Sequence, residues 1–220
     1  MLSSEAEAIV NEMYSAPKLE GANGLVEIDP ITRVDRAKGA ELNRLVRESG
    51  TKKSLEIGLA YGFSTVWIVD ALASDAAHIA VDPFQSSLWH GVGATQARRL
   101  SGKRFELLEE YSIHVLSDFI RAGEKFDFIF IDGNHRFDDV LVDFYLSDQV
   151  LEVGGLMVLD DIWMASIRTV LEFVVANRAY QLVRLRAPGM AALKKLKDDD
   201  RDWRHFRPFA VARDQSGGLG

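Results

Sequence analysis

The chain has 220 residues, of which 47% are hydrophobic and 27% charged, enough to bury a full core as one domain with additions. Its net charge of -7 weighs against a nucleic-acid partner, because affinity for a phosphate backbone comes largely from Lys and Arg releasing counterions. No cysteine occurs, which excludes disulfides, thiolate nucleophiles and Cys-based zinc or iron–sulfur sites, so any metal must sit on oxygen or imidazole. The opening MLSSEAEAIVNEMY lacks the basic region and long apolar core of a secretory signal. No apolar run approaches the length that spans a bilayer, so no membrane association is expected and a cytoplasmic location is the default.

Ser4 with Glu7 has capping-box spacing, and Ile9, Val10 and Met13 then mark a short opening helix. A polar loop is expected from there to about Pro30. The segment from Asp35 to Glu48 carries Leu42, Leu45 and Val46 on one side and stops at Gly50, as a helix with a glycine cap does. Short apolar runs, SLEIGLA, HIAVD, FELLE, FDFIFID and GLMVLD, then alternate with segments of helical period such as STVWIVDALAS, YSIHVLSDFI, FDDVLVDFYLSDQVL and WMASIRTVLEFVVANR. Runs apolar on both faces suit a parallel sheet between two helix layers. YQLVRL and MAALKKL are joined by a short link at Pro188 and Gly189, so they must pair antiparallel. The expected fold is α/β and doubly wound, with seven strands, mostly parallel, closed by a C-terminal antiparallel hairpin. Residues 35–197 form the domain, 1–34 a helix-and-loop extension, and 198–220 a charged, partly ordered tail. Neither an internal repeat nor a second domain is visible.

The stretch EIGLAYGFS, residues 56–64, ends the first strand and enters a helix. Gly58 and Gly62 let the backbone approach a ligand at this turn. The pattern is neither the G-x-G-x-x-G fingerprint nor a phosphate loop, and Glu56 would repel a pyrophosphate, so a cationic or neutral ligand fits better. Asp82 ends the next strand, where a carboxylate can accept both hydroxyls of a ribose. Read singly, a glycine turn is common and an acid at a strand end is often a cap; their order and spacing carry the signal.

These residues resemble class I S-adenosylmethionine-dependent methyltransferases. Glu56-x-Gly58-x-x-x-Gly62 followed by Asp82 looks like that family's first two motifs, and AKGAELNRLVRES followed by LEIGLAYGFST is similar to catechol and caffeoyl-CoA-type O-methyltransferases. The resemblance covers roughly Arg36 to Leu196. It implies S-adenosylmethionine as cofactor, with Glu56, Gly58, Ala60, Gly62 and Ser64 around the methionine end, Asp82 on the ribose, Ser112 at the adenine edge, and Trp89 or Phe84 over the adenine face.

In this fold the carboxyl ends of FDFIFID and GLMVLDD lie side by side on strands about 4.8 Å apart, which brings together Asp132, Asp160 and Asp161. Three carboxylates at one rim raise each other's pKa unless a cation sits among them. Oxygen ligands select a hard ion, Mg²⁺ by preference, with Mn²⁺ or Ca²⁺ as alternatives. The bland counterpart is that Asp160 or Asp161 caps a helix beginning at Ile162 and Asp132 opens a turn. The resemblance supports the metal, since metal-dependent O-methyltransferases carry acids at these positions. The chain departs from the catechol type in having Asp161 in place of Asn and Gly133-Asn134-His135 in place of a lysine-bearing turn, closer to sugar and macrolide O-methyltransferases.

His135 suits a general base near neutral pH, against the alternative of a loop histidine at a helix N-terminus. Asn134 could ligate the metal or orient the acceptor. Asp138 and Asp139 read as first-turn acids of a helix, and His78, His90, His114 and His205 show no partner. The expectation is metal-assisted methyl transfer to a hydroxyl of a small molecule, with a homo-oligomer left open. The alternatives are a metal-independent methyltransferase and a non-catalytic S-adenosylmethionine-binding protein; the missing third glycine and Glu56 count against a nicotinamide-dependent oxidoreductase.

Overall fold

Within Phe126–Ile131 (β6), the side chains of Phe128 and Phe130 enter one apolar cluster and those of Ile129 and Ile131 the other. Each is at most 4% exposed, so this strand is covered on both faces, and each such burial stabilises by about 1.5–3 kcal/mol. The computed structural model describes residues 2–101 and 104–211. The strands Lys53–Ile57 (β3), Ala77–Val81 (β4) and Phe105–Leu108 (β5) lie to one side of β6. Leu151–Leu159 (β7), Tyr180–Val183 (β8) and Ala191–Lys195 (β9) lie to the other, giving the order β5-β4-β3-β6-β7-β9-β8. The first five pair in parallel, whereas β9 pairs antiparallel with both β7 and β8. The seven-stranded sheet with its closing hairpin is therefore as expected.

Arg36–Ser49 (α2) and Phe63–Ala71 (α3) cover one face through Leu42, Leu45, Val46 and Ile68. Ser112–Ala122 (α5), Phe137–Val150 (α6) and Ala165–Asn177 (α7) cover the other through Leu116, Val140, Phe144 and Val170. Asp35 caps α2 by accepting from Lys38 N at 2.8 Å, and Gly50 ends it at φ 67°, the left-handed conformation that glycine adopts without a Cβ penalty.

Three local expectations change. The opening helix, Ser4–Ser15 (α1), is capped by Ser3, whose hydroxyl accepts from Ala6 N, and not by Ser4. The polar segment after it holds a hairpin, Lys18–Gly21 (β1) with Gly24–Glu27 (β2), beside a helix the pattern did not single out, Val92–Ser101 (α4). Tertiary contacts hold that hairpin, since Ala22 N donates to His90 O at 2.9 Å and Gln96 Nε2 to Glu20 O at 3.1 Å. Gly24–Glu27 has no buried position, so its sequence lacks the alternation that announces a strand. The tail docks as far as it is described, with Lys195 Nζ 2.8 Å from Asp198 and Asn177 exchanging two hydrogen bonds with the Arg207 backbone; residues 212–220 lie outside the described residues.

The sheet also sets the site. Strand order reverses around β3, and in open α/β sheets ligands bind in the crevice outside the carboxyl ends at such a switch point. The ladder runs to those tips: Gly58 N donates to Val81 O, Asp132 N to Ile57 O, and Asp160 N to Ile131 O. Gly58, Asp132 and Asp160 thus stand in a row.

Candidate active site

A cleft of about 750 Å³ opens over the Gly58 turn and the β6 tip; its wall includes Gly58, Ala60, Asp82, Ser112, Asp132 and His135, while Asp160 and Asp161 lie off it. Gly58 has φ 92°, and a Cβ there would stand 2.1 Å from Asp132 O. The turn and the β6 tip therefore touch through bare backbone, which only glycine permits. Asp82 holds the turn from the next strand: its Oδ2 accepts from Leu59 N at 3.1 Å and Ala60 N at 2.8 Å, and its Oδ1 from Phe84 N at 2.8 Å. With a single donor on Oδ1, that oxygen retains acceptor capacity. Phe84 meets Tyr111 edge to face at 6.0 Å between ring centroids, and both line the cleft; Trp89, also on the wall, packs against Tyr61.

Glu56, Gly62 and Ser64 are not on this wall. Glu56 is fully buried, accepting the hydroxyls of Ser64 and Thr65 while its Oε2 lies 3.0 Å from His78 Nε2, and His78 Nδ1 in turn lies 2.8 Å from Ser54 Oγ. The carboxylate ties β3 to the start of α3 and to β4. His78 thus has the partner that spacing along the chain does not reveal, because the pair spans two parallel strands.

The acids at the strand tips are arranged differently. His135 Nε2 lies 3.6 Å from Asp132 Oδ1 and 3.7 Å from Asp161 Oδ2, and the three atoms lie within 4.8 Å of one another. That imidazole nitrogen is buried without a hydrogen-bond partner, a costly state unless something sits between these groups. Asp160 does not join the three. Its Oδ1 accepts from Lys38 Nζ at 2.6 Å and from Asp161 N at 2.7 Å. Lys38, on α2, also reaches Asp161 Oδ1 at 2.9 Å, and Trp163 Nε1 donates to the same oxygen at 3.0 Å. Asp161 is thereby split, one oxygen held by Lys38 and Trp163 and the other facing His135.

Neither Asp160 nor Asp161 caps the following helix, which starts at Ala165 after Met164 without a side-chain cap, not at Ile162. Asp161 instead sits at φ 49°, a left-handed strain that persists where surrounding structure requires it. Asn134 Oδ1 accepts from Arg136 N at 3.0 Å, closing a local turn.

Burial pushes the Asp132 carboxyl up to about 7, with the charges of Asp160 and Asp161 adding to it and His135 opposing. The facing Asp132 carboxylate raises His135, offset in part by desolvation. Burial works against the Lys38 ammonium, but Asp160 and Asp161 outweigh it and raise its pKa. The facing oxygens of Asp132 and Asp161 fit a hard divalent cation, the unpartnered imidazole beside them can accept a proton, and the bare backbone at Gly58 beside Asp82 fits a nucleoside. The residues that sequence reading missed are Lys38, which pairs with Asp160 and Asp161, and Tyr111 and Asp143 on the cleft wall. Lys38 sits 123 positions from Asp161, and nothing in the linear pattern links the two.

The sheet order is that of the Rossmann-like methyltransferase fold, and residues 55–162 match a family model described as a methyltransferase domain. Caffeoyl-CoA O-methyltransferase 1 of Zea mays is 30% identical over 135 residues, covering 59% of this chain and 51% of that protein. Flavonoid 3',5'-methyltransferase of Vitis vinifera is 26% identical, covering 59% and 56%. The chain spans about half the length of the curated relatives it matches. The solved O-methyltransferase from Bacillus cereus in complex with SAH superposes with a TM-score of 0.68 at 19% identity, covering 88% of this chain and 91% of that one. At that identity the likeness speaks for the fold. Among the described residues no helix is long and apolar enough to cross a membrane.

Proposed function

We propose that this protein is an S-adenosylmethionine-dependent O-methyltransferase that methylates a hydroxyl of a small molecule, assisted by a divalent metal and by His135. The observation that carries the reading is the convergence of Asp132 Oδ1, Asp161 Oδ2 and the unpartnered His135 Nε2 beside the Gly58 turn. The O-methyltransferase name of the Zea mays relative supports it.

S-adenosylmethionine would supply an electrophilic methyl group on a sulfonium. Gly58 and Ala60 give that ligand room at the turn, Asp82 accepts from its ribose, and Ser112 lies at its adenine edge. Glu56, with Ser64 and the Gly62 turn, acts from behind the wall by fixing the turn. A divalent ion, Mg²⁺ by the hardness of the oxygens, would lower the pKa of an acceptor hydroxyl. Asp132 and Asp161 would hold it, and Asp160 acts through Lys38 to orient Asp161. His135 takes the hydroxyl proton at Nε2, the protonated ring being stabilised by Asp132 and Asp161. The exposed Trp163 indole donates to Asp161 and would stand beside an acceptor held there.

The test is S-adenosylhomocysteine formation across a panel of hydroxylated acceptors, with EDTA and then Mg²⁺. Activity lost to the chelator and restored by the ion is expected. A second reading has a specific observation behind it: the Lys38 ammonium already pairs with both Asp160 and Asp161, as a metal-independent enzyme would need. Full turnover in excess EDTA would select that reading.

A further inference from the structure

Gln85 follows β4, is 1% exposed and is not on the cleft wall, yet its amide holds two residues that are, Ala60 and Asp82. Nε2 donates to Ala60 O at 2.7 Å and to Asp82 Oδ2 at 3.2 Å, and Oε1 accepts from Ala94 N at 3.4 Å. Turning the amide over would set its oxygen against two other oxygens, so the surrounding acceptors fix this orientation. Asp82 Oδ2 then has three donors, Leu59 N, Ala60 N and Gln85 Nε2, whereas Oδ1 has Phe84 N alone. The carboxylate is anchored by one oxygen and offers the other. Ala60 has φ 45°, a left-handed conformation that a residue with a Cβ keeps only where its neighbours hold it. Gln85 is one such neighbour, and bare backbone is the other: a Cβ on Gly93, at the start of α4, would stand 2.3 Å from Ala60 O, and one on Gly62 would stand 3.0 Å from Gly93 O. A second buried glutamine, Gln96, anchors α4 on its far side, with Nε2 donating to Glu20 O at 3.1 Å and Oε1 accepting from Arg99 at 2.7 Å.

We propose that Gln85 is a positioning residue that presets the cofactor turn, holding Ala60 in its left-handed conformation and Asp82 with Oδ1 available before the cofactor arrives. This rests on the S-adenosylmethionine reading above. Without the amide, Ala60 O and Asp82 Oδ2 each lose a donor, and the turn samples conformations that do not bind. Apparent affinity then falls in proportion to the fraction of molecules left competent. The main chain of the loop keeps its own closure, because Gly91 N donates to Gln85 O at 2.7 Å whatever side chain stands at 85. A merely structural role makes a different prediction: loss of the amide would lower stability, as loss of any buried amide does, and leave the affinity of the folded protein unchanged.

Isothermal titration calorimetry of the full chain with S-adenosylhomocysteine, with no metal or acceptor present, separates these outcomes when Gln85→Met is compared with Gln96→Met. Each variant replaces one buried amide by an apolar chain of the same length, and both should unfold at lower urea than the wild type. Gln85→Met should bind about 10- to 100-fold more weakly than the wild type, the span for a hydrogen bond to a charged group, and Gln96→Met within about twofold of it. Wild-type affinity in folded Gln85→Met, or an equal loss in both variants, would overturn the proposal. Should Gln85→Met not fold, amide hydrogen exchange of the wild type decides. The Leu59 and Ala60 N–H groups should exchange at least about 100-fold more slowly than in an unstructured chain before any cofactor is added, and unprotected exchange of both would overturn it. A wild type that fails to bind S-adenosylhomocysteine would reject the cofactor reading and this one with it.

Discussion

Two groups of acids sit within one sheet and are treated in opposite ways. Glu56 lies in the middle of the layered structure with every nearby donor turned toward it, two hydroxyls and an imidazole. At the tips of β6 and β7, Asp132 and Asp161 present oxygens to His135 Nε2 at 3.6 and 3.7 Å, beyond hydrogen-bond range, and the imidazole nitrogen has no partner. A saturated carboxylate holds the scaffold, while an unsaturated cluster has room for something else. Position along the chain does not separate the two, since both kinds of acid occupy strands or strand ends; the count of donors does.

Breaking the unsaturated group should cost the most function. His135→Ala is expected to lower kcat by about 10²- to 10⁴-fold, the usual worth of a general base, with S-adenosylhomocysteine affinity nearly unchanged by calorimetry. If His135 is instead a third metal ligand, the same variant loses metal affinity, which a Mn²⁺ titration reads directly. Breaking the saturated group should cost stability. Glu56→Ala leaves Ser64, Thr65 and His78 facing an empty space and should lower unfolding free energy by about 3–5 kcal/mol, as loss of one partner from a buried charged network does, measured by urea denaturation. A Glu56→Ala protein of normal stability that has lost cofactor binding would erase the distinction.

Lys38→Met sharpens the comparison, because it removes the ammonium that pairs with Asp160 and Asp161 and leaves the buried Asp160 with the Asp161 N–H and no cation. A loss of about 1–3 kcal/mol is expected in metal-free protein, and saturating Mg²⁺ should recover part of it and raise the melting temperature more than in the wild type. Equal responses to Mg²⁺ in both proteins would argue that no ion enters the site. The smallest effect concerns pH. Asp132 at about 7 and Asp143 at about 6 are raised above ordinary carboxyl values, so the folded state holds protons that the unfolded state has released. Their contribution to stability is present at low pH and is lost as pH rises through the folded values. The melting temperature of metal-free protein should therefore fall by a few degrees between pH 6 and pH 8, and Asp132→Asn should flatten that slope.

Much of this architecture was legible in one dimension. Unbroken apolar runs such as FDFIFID and GLMVLD announce strands covered on both faces, since an exposed face would alternate. The short link at Pro188 and Gly189 forces β8 and β9 antiparallel, and Gly58 and Asp82 mark the turn and the strand end that meet across β3 and β4. The β1–β2 hairpin was hidden, because its four-residue strands depend on contacts with the loop around His90 and with Gln96. Ser3 displaced Ser4 as the cap of α1, a shift of one residue that spacing alone does not resolve.

The sequence by itself determined which residues could form strands and which acids would end them, because hydrophobic period and strand termination are local properties of the chain. Only the tertiary structure decided which of those acids are already satisfied. Lys38 reaches Asp160 and Asp161 from a helix 123 positions upstream of Asp161, His78 reaches Glu56 across two parallel strands, and Asp143 lines the cleft from a helix in which only the first-turn acids Asp138 and Asp139 stood out. Hydrogen bonds act over about 3 Å in space, and separation along the chain carries no record of that distance.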